Sequence, residues 1–339
     1  MRLIKSLILL IVFSAASVSA SWGQEGTRGA AFLNIPTGAK AAGLGGAVSS
    51  WIDDPTAMRW NPALIANAES NQFMVDHATW FVDLQHSYAG VVIPMGPVGT
   101  FGLNITALTM GDMEETTYDH PEGTGRTFGA YSYAAGFSYA RNLIEVFSIG
   151  INAKYINETI WNTSATALAF DIGTFYQTPL EGLNFGVSVT NFGNKIGMLG
   201  DDMFIEADPD RGSSGNWDPA AWLRTDQFDM PVELNAAISY DAYQSEVFNA
   251  SVMLEGNAPS YSEQSFSVGA ELGFMENLVM LRGGVPEIGM PEQDRIIQFA
   301  GGLGVNYDFQ QNMGLEINYA YQSYRFLGGT NRLSLSVRF

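Results

Sequence analysis

From about Asn71 to the last residue, apolar and polar positions alternate along the chain. That period of two marks strands with one face in an apolar medium and the other on small or polar groups. Met313, Leu315, Ile317, Tyr319 and Tyr321 share one face, and Gly314, Glu316, Asn318, Ala320 and Gln322 share the other. Phe147, Ile149, Ile151, Ala153 and Tyr155 stand in the same way against Ser148, Gly150, Asn152 and Lys154. Phe266 to Phe274 and Leu333 to Phe339 repeat the pattern. The alternation predicts about fourteen strands of ~9 to 12 residues, long enough to cross a bilayer at a tilt. They start near Phe73, Gln85, Thr100, Phe128, Phe147, Ala165, Leu183, Val232, Val247, Ser265, Leu278, Ile296, Met313 and Arg332.

The connections alternate in length. Met95 to Pro97, Arg141 to Glu145, Thr178 to Gly182, Ala242 to Glu246, Met275 to Asn277 and Gln310 to Asn312 are short. Met110 to Arg126, Asn194 to Met230 and Pro286 to Arg295 are long, acidic and rich in Gly and Pro. Short turns at one end and longer loops at the other are the pattern of a transmembrane antiparallel β-barrel, an all-β fold of the bacterial outer membrane in contact with its lipids. An even strand count then puts the chain end with the short periplasmic turns. A sandwich would share its apolar face between two sheets and would not require fourteen strands of equal length. Closure leaves no edge, so every backbone group is satisfied in lipid.

One stretch has no such alternation. Ala41 to Ala66, AAGLGGAVSSWIDDPTAMRWNPALIA, holds Gly43, Gly45 and Gly46 and two helix-start signals: Asp53 and Asp54 before Pro55, and Asn61 before Pro62 and Ala63. In each, a side-chain oxygen can cap free backbone donors and proline occupies the first helical position. Two short helical turns with a kink between them are expected, because the residue before a proline is pushed out of the α region. A barrel of fourteen strands is wider than one that side chains fill and narrower than an open porin. Its lumen therefore needs a filler, and residues 21–68 form the expected N-terminal hatch of a barrel spanning 69–339.

Residues 1–20 read as a secretory signal peptide: Arg2 and Lys5 precede the apolar run Leu7 to Phe13, and Val18-Ser19-Ala20 offers small residues for cleavage. Removing those two cations takes the formal charge of -19 to -21. Such an acidic balance argues against nucleic-acid partners. The chain has no cysteine, so disulfides and thiolate metal sites are excluded. Its 3 histidines, His77, His86 and His120, are too scattered for a zinc site, and His77 and His86 read as strand-end residues. Neither a cofactor site nor a catalytic motif is found: Gly-x-Ser-x-Gly, His-Glu-x-x-His and a phosphate loop are all missing. Asp208, Asp210, Asn216 and Asp218 invite a calcium reading, but Gly212 stands where a ligand belongs and no bidentate Glu follows, so a solvated acidic loop is expected.

GAKAAGLGGAVSSWIDDPTAMRWNPALIA ahead of a strand barrel resembles the start of the PorV/PorQ family of outer-membrane proteins, relatives of FadL-type barrels with an Asn-Pro-Ala hatch motif. Pro121 to Leu143, Phe147 to Asn162, Phe170 to Thr178 and Leu183 to Gly193 also resemble that family's strands. Leu64 departs from it, because the family often has glycine there. The resemblance implies a barrel with a hatch made of Asp53, Asp54, Pro55, Asn61, Pro62 and Ala63. For PorV members it further implies a role in type IX secretion, docking secreted cargo proteins or other components of that system. The alternative is a FadL-like transporter of hydrophobic solutes.

Three further expectations follow from the residues. Lys154, Glu233, Glu255, Glu271, Arg282, Glu316 and Arg338 face inward, as a network of paired charges or as a polar path. The loop Asn194 to Met230 mixes carboxylates with Met203, Phe204, Trp217, Trp222 and Phe228, and aromatic anchors among charges suit a protein-binding surface. Phe339 ends an alternating segment and resembles the signal read by barrel-assembly machinery.

Overall fold

A computed structural model describes residues 28–206, 220–310 and 313–339. The signal-peptide reading of 1–20 and the calcium reading both fall on residues outside this description, as does Trp217.

Fourteen long strands alternate apolar-out and polar-in: β1 (Gln72–Thr79), β2 (Gln85–Pro94), β3 (Thr100–Thr109), β4 (Ala130–Ile144), β5 (Phe147–Ile160), β6 (Thr163–Gln177), β7 (Leu183–Gly193), β8 (Glu233–Tyr243), β9 (Phe248–Pro259), β10 (Ser265–Phe274), β11 (Val279–Ile288), β12 (Ile297–Gln310), β13 (Met313–Tyr324) and β14 (Gly328–Arg338). Each pairs antiparallel with its sequence neighbours, and β14 returns to β1 from Gln72↔Arg338 to Thr79↔Asn331, which closes the sheet. Asn71 and Phe339 complete the seam with backbone bonds of 3.1 and 2.9 Å. Observed starts lie within about two residues of those expected, except that β14 begins at Gly328, four residues before Arg332.

The burial is inverted relative to a water-soluble fold. In β1, Phe73 and Val75 are exposed while Gln72 and Asp76 are buried. The same holds around the wall, where Leu103, Phe137, Ile151, Leu168, Val187, Leu254, Phe266, Leu303 and Leu335 form an exposed outer belt. An apolar surface of this extent is stable only against lipid. The chain is a transmembrane barrel of the outer-membrane type.

Turns at the end holding Gln72 and Phe339 are short throughout, and residues 110–129 and 194–232 form the long connections at the opposite end. That arrangement makes the first end periplasmic. A two-residue segment, Leu199–Gly200, adds to β6 above the point where β7 leaves it.

Residues 28–68 thread the lumen from the long-loop end to the periplasmic end. At the top, Arg28 pairs with Asp229 at 3.3 Å and donates to the Ser260 carbonyl at 3.0 Å. Below it come a 3-10 turn (Ala31–Asn34), helix α1 (Ala39–Gly43), helix α2 (Ala57–Trp60) and a second 3-10 turn (Pro62–Asn67). The first turn and α1 are elements that the sequence reading did not anticipate.

Candidate functional site

Residues 28–68 inside the lumen, the expected hatch, and the wall that holds them form the candidate site. Asn61 has extended backbone, and its Oδ1 accepts from the Ala63 N–H at 3.1 Å, with Pro62 at the first position of the turn that follows. Its Nδ2 donates to the Ser49 carbonyl at 2.7 Å and to the Thr174 carbonyl of β6 at 3.0 Å. One side chain thus caps a turn, ties two parts of the hatch together and anchors both to the barrel.

Capping at the other proline differs from expectation. Asp54 accepts from the Thr56 N–H at 2.7 Å and from the Thr56 hydroxyl at 2.5 Å, which orders the turn leading into α2. Asp53 caps nothing. Its carboxylate, 75% exposed, accepts from Lys40 Nζ at 2.6 Å instead, because the charge on α1 offers a stronger partner than a neutral N–H. Tyr88 of β2 donates to the Pro55 carbonyl at 2.7 Å, so this proline also meets the wall.

Glycines on the inner wall make room for the hatch backbone. A Cβ at Gly150 of β5 would lie 2.4 Å from the Pro62 carbonyl, and one at Gly173 of β6 would lie 1.9 Å from Asn61 Oδ1. The Asn-Pro-Ala segment therefore rests on bare strand backbone, a contact that any larger residue would prevent.

Charged groups hold the opposite side. Lys40, 3% exposed, also lies 3.3 Å from Glu316 of β13. Arg282 of β11 bonds Glu271 of β10 at 2.5 Å, approaches Glu316 to 3.5 Å and donates to Asn318 at 2.5 Å. Burial works against the Lys40 charge, but the carboxylates of Asp53 and Glu316 outweigh it and keep the ammonium more basic than usual. Burial also raises Asp54 to about 6, against the opposing pull of Lys40 and the Thr56 bonds.

Glu255 of β9 accepts from the N–H groups of Val48 and Ser49 at 2.7 and 2.9 Å and from the Ser49 hydroxyl at 2.7 Å. Lys154 of β5 pairs with Asp171 of β6 at 2.7 Å, and Asp171 also accepts from Asn152 and from the backbone of Asn191. Lys154, Glu271, Arg282, Glu316 and Arg338 thus form ion pairs, as charges out of water require, whereas Glu255 is held by neutral donors alone. Glu233, Glu316 and Arg338 are only half-buried.

Several members of this site carry no signal in the sequence. Asp76 of β1 pairs with Arg332 of β14 and accepts from Ser334 at 2.6 Å. His86 does stand at a strand end, as the second residue of β2, but it is fully buried with Nδ1 3.2 Å from Arg332. His77 is exposed on the outer face and hydrogen-bonds Ser87 at 3.0 Å. Arg59 donates through Nε and Nη2 to the Leu33 carbonyl at 3.1 and 2.6 Å and lies over the Trp60 ring.

Two apolar clusters follow one another down the hatch. The upper contains Phe32, Leu33, Ile35, Ile156, Ile196 and Met230, packed on the small residues Ala165, Ala167 and Ala169 of β6. The lower contains Leu44, Val48, Ile52, Met58, Trp60 and Ile65, packed on Val92, Phe175 and Met253 of the wall. Pairing among β1, β2, β3 and β4 is unbroken. Between β6 and β7 the register slips at Asp171, where Asn191 has a positive φ of 61°.

At the long-loop end, Phe204 meets Trp222 edge-on at 5.6 Å across a short ribbon, and both rings are exposed. Met203 is half-buried, and its carbonyl accepts from the Leu223 N–H at 2.7 Å. Phe228 stands at the loop base, bonded through its backbone to Ile196. Phe339 is half-exposed at the barrel seam.

No protein-family model matches the chain, and no curated protein matches it either. Solved structures do. The toluene transporter TodX of P. putida aligns at 12% identity and a TM-score of 0.58 over 89% of this chain and 98% of its own. The Ralstonia pickettii toluene transporter TbuX aligns at 12% identity and a TM-score of 0.53, over 89% and 97%. A FadL homologue from Pseudomonas aeruginosa gives 12% identity and a TM-score of 0.50, over 90% and 98%. At such identities the likeness is one of fold: the chain is a bacterial outer-membrane β-barrel of fourteen antiparallel strands with a FadL-like architecture.

Proposed function

We propose that the barrel passes small hydrophobic solutes across the outer membrane, with residues 28–68 as a movable hatch. The observation that carries this reading is the axial succession of apolar clusters, from Phe32 and Ile196 near the long loops to Ile65 and Phe175 at the periplasmic mouth. A polar solute would find no such lining, whereas an apolar one exchanges contacts with it at little cost. The transporters that share the fold support the same reading.

The absence of cysteine allows a clean test. Ser239 Oγ lies 3.0 Å from the Ser50 carbonyl, so cysteines introduced by Ser50→Cys and Ser239→Cys can lock hatch to wall. Oxidation should stop uptake of a radiolabelled monoaromatic hydrocarbon, and reduction should restore it. Undiminished uptake with the crosslink formed would reject a moving hatch.

A second reading, docking of secreted cargo or of type IX secretion components in the manner of the PorV/PorQ family, is favoured by the exposed Phe204 and Trp222 pair. Replacing residues 199–227 by a Gly/Ser link should then abolish capture of clients and leave assembly intact. Retained capture, together with lost solute uptake, would favour transport.

A further inference from the structure

Beneath the hatch the barrel opens to the periplasm in a vestibule of about 670 Å³. Its roof is the hatch itself: Trp51, Ile52, Leu64 and Ile65 supply apolar surface, and Val92 and Phe175 continue it onto the wall. Around this surface stand six carboxylates, Asp53, Asp54, Glu69, Asp241, Asp308 and Glu316, and one lining cation, Arg338, while Lys40 behind the roof pairs with Asp53 and Glu316. Arg338 is already engaged with Asp308 at 2.6 Å. A smaller chamber of about 220 Å³ adjoins it, sharing Trp51, Asp53 and Asp241 and adding Glu271.

The vestibule is therefore apolar where it is deep and negative around that depth. Carboxylates gathered in a concavity with low-dielectric walls concentrate the field and attract cations. One of them has an unused acceptor: Asp54, 5% exposed at the roof, commits Oδ1 to Thr56, while Oδ2 has no hydrogen-bond partner. A buried carboxylate oxygen left in this way gains from a donor brought by a ligand. Trp51 already has the Lys40 ammonium 5.5 Å from its ring centre, so an indole that accepts a cation is part of the site.

We infer that this vestibule binds small organic cations that carry an apolar body, with the body against Leu64, Ile65 and Phe175 and the ammonium attracted by the combined field of Asp54, Glu69 and Asp241 around it. The binding stands apart from the transport reading. Metal ions are poor candidates, because no group of three or more metal-ligating side chains converges among the described residues.

The full chain in phosphatidylcholine nanodiscs provides the test, by titration calorimetry with three probes of one shape: phenethylamine, 2-phenylethanol and phenylacetate. Phenethylamine should bind about tenfold or more tightly than either of the others, and high salt should erode the difference. Glu69→Gln and Asp241→Asn, alone and combined, should weaken phenethylamine alone, by about fivefold or more in the double variant. Asp241 accepts from Ser251 at 2.7 Å, so heat-modifiable migration checks that its variant still folds. Glu69→Gln gives an independent reading if it does not. Equal binding of the three probes, no binding of phenethylamine, or wild-type affinity in the folded double variant would overturn the proposal.

Discussion

The hatch is held differently on its two sides. On one, Pro62–Asn67 packs against β4, β5 and β6, where Gly150 and Gly173 leave bare backbone. On the other, α1 packs against β11 to β14, where Lys40, Arg282, Glu271 and Glu316 form a chain of ion pairs. The first side excludes any added atom. The second suffers when a partner is removed. A hatch seated in this way is positioned by shape on one side and by charge on the other, so the two sides can be broken separately.

The largest effect is expected on the charged side. Arg282→Met leaves Glu271 and Glu316 without their shared cation, and breaking a buried pair costs about 3–5 kcal/mol. The thermal midpoint of the barrel in detergent should fall and the hatch should become open to protease. Lys40→Met should cost less, because Glu316 keeps Arg282 and Asp53 is largely exposed.

Acidity acts on the same side. Burial holds the Asp54 carboxyl at about 6 in the folded protein, above the usual carboxylate range near 3.8. Protonation therefore favours the docked hatch, and that stabilisation is present in acid and lost as pH rises through about 6. At most about 3 kcal/mol is involved, less where the vestibule admits water. Protease protection of the hatch should decline between about pH 4 and pH 6, and Asp54→Asn should flatten the profile.

The shape-held side should respond to added bulk. Gly150→Val puts a side chain where the Pro62 carbonyl stands, and overpacking costs about 1–3 kcal/mol. Barrel melting should change little while the Pro62–Asn67 turn is displaced, which a spin label on Ala66 would detect. An unchanged label environment would mean that the turn is not seated on β5.

The strands were legible because lipid demands an apolar residue at each outward position, which is every second residue of a strand, whatever the tertiary detail. β14 was read short for the same reason: Gly328, Gly329 and Asn331 break the alternation, yet pairing with Tyr324, Ser323 and Tyr321 extends the strand. Asn61 could be read as a cap because its target is two residues away. Asp53 could not be read correctly, since its partner Lys40 comes from another turn of the hatch, 13 residues off. Asp76 and Arg332 are 256 residues apart and meet only because the first and last strands close the barrel. Pairing across the lumen depends on register and closure, and neither is written in a local pattern.

Planar-bilayer recording on a chain lacking Asp53 to Ala63 tests most directly whether the hatch fills the lumen. Those residues hold Asn61 and the part of the lower apolar cluster that includes Met58 and Trp60. Their loss should raise single-channel conductance well above that of the intact barrel. A conductance equal to that of the full chain, from a barrel that still migrates as folded, would show that these residues do not close it.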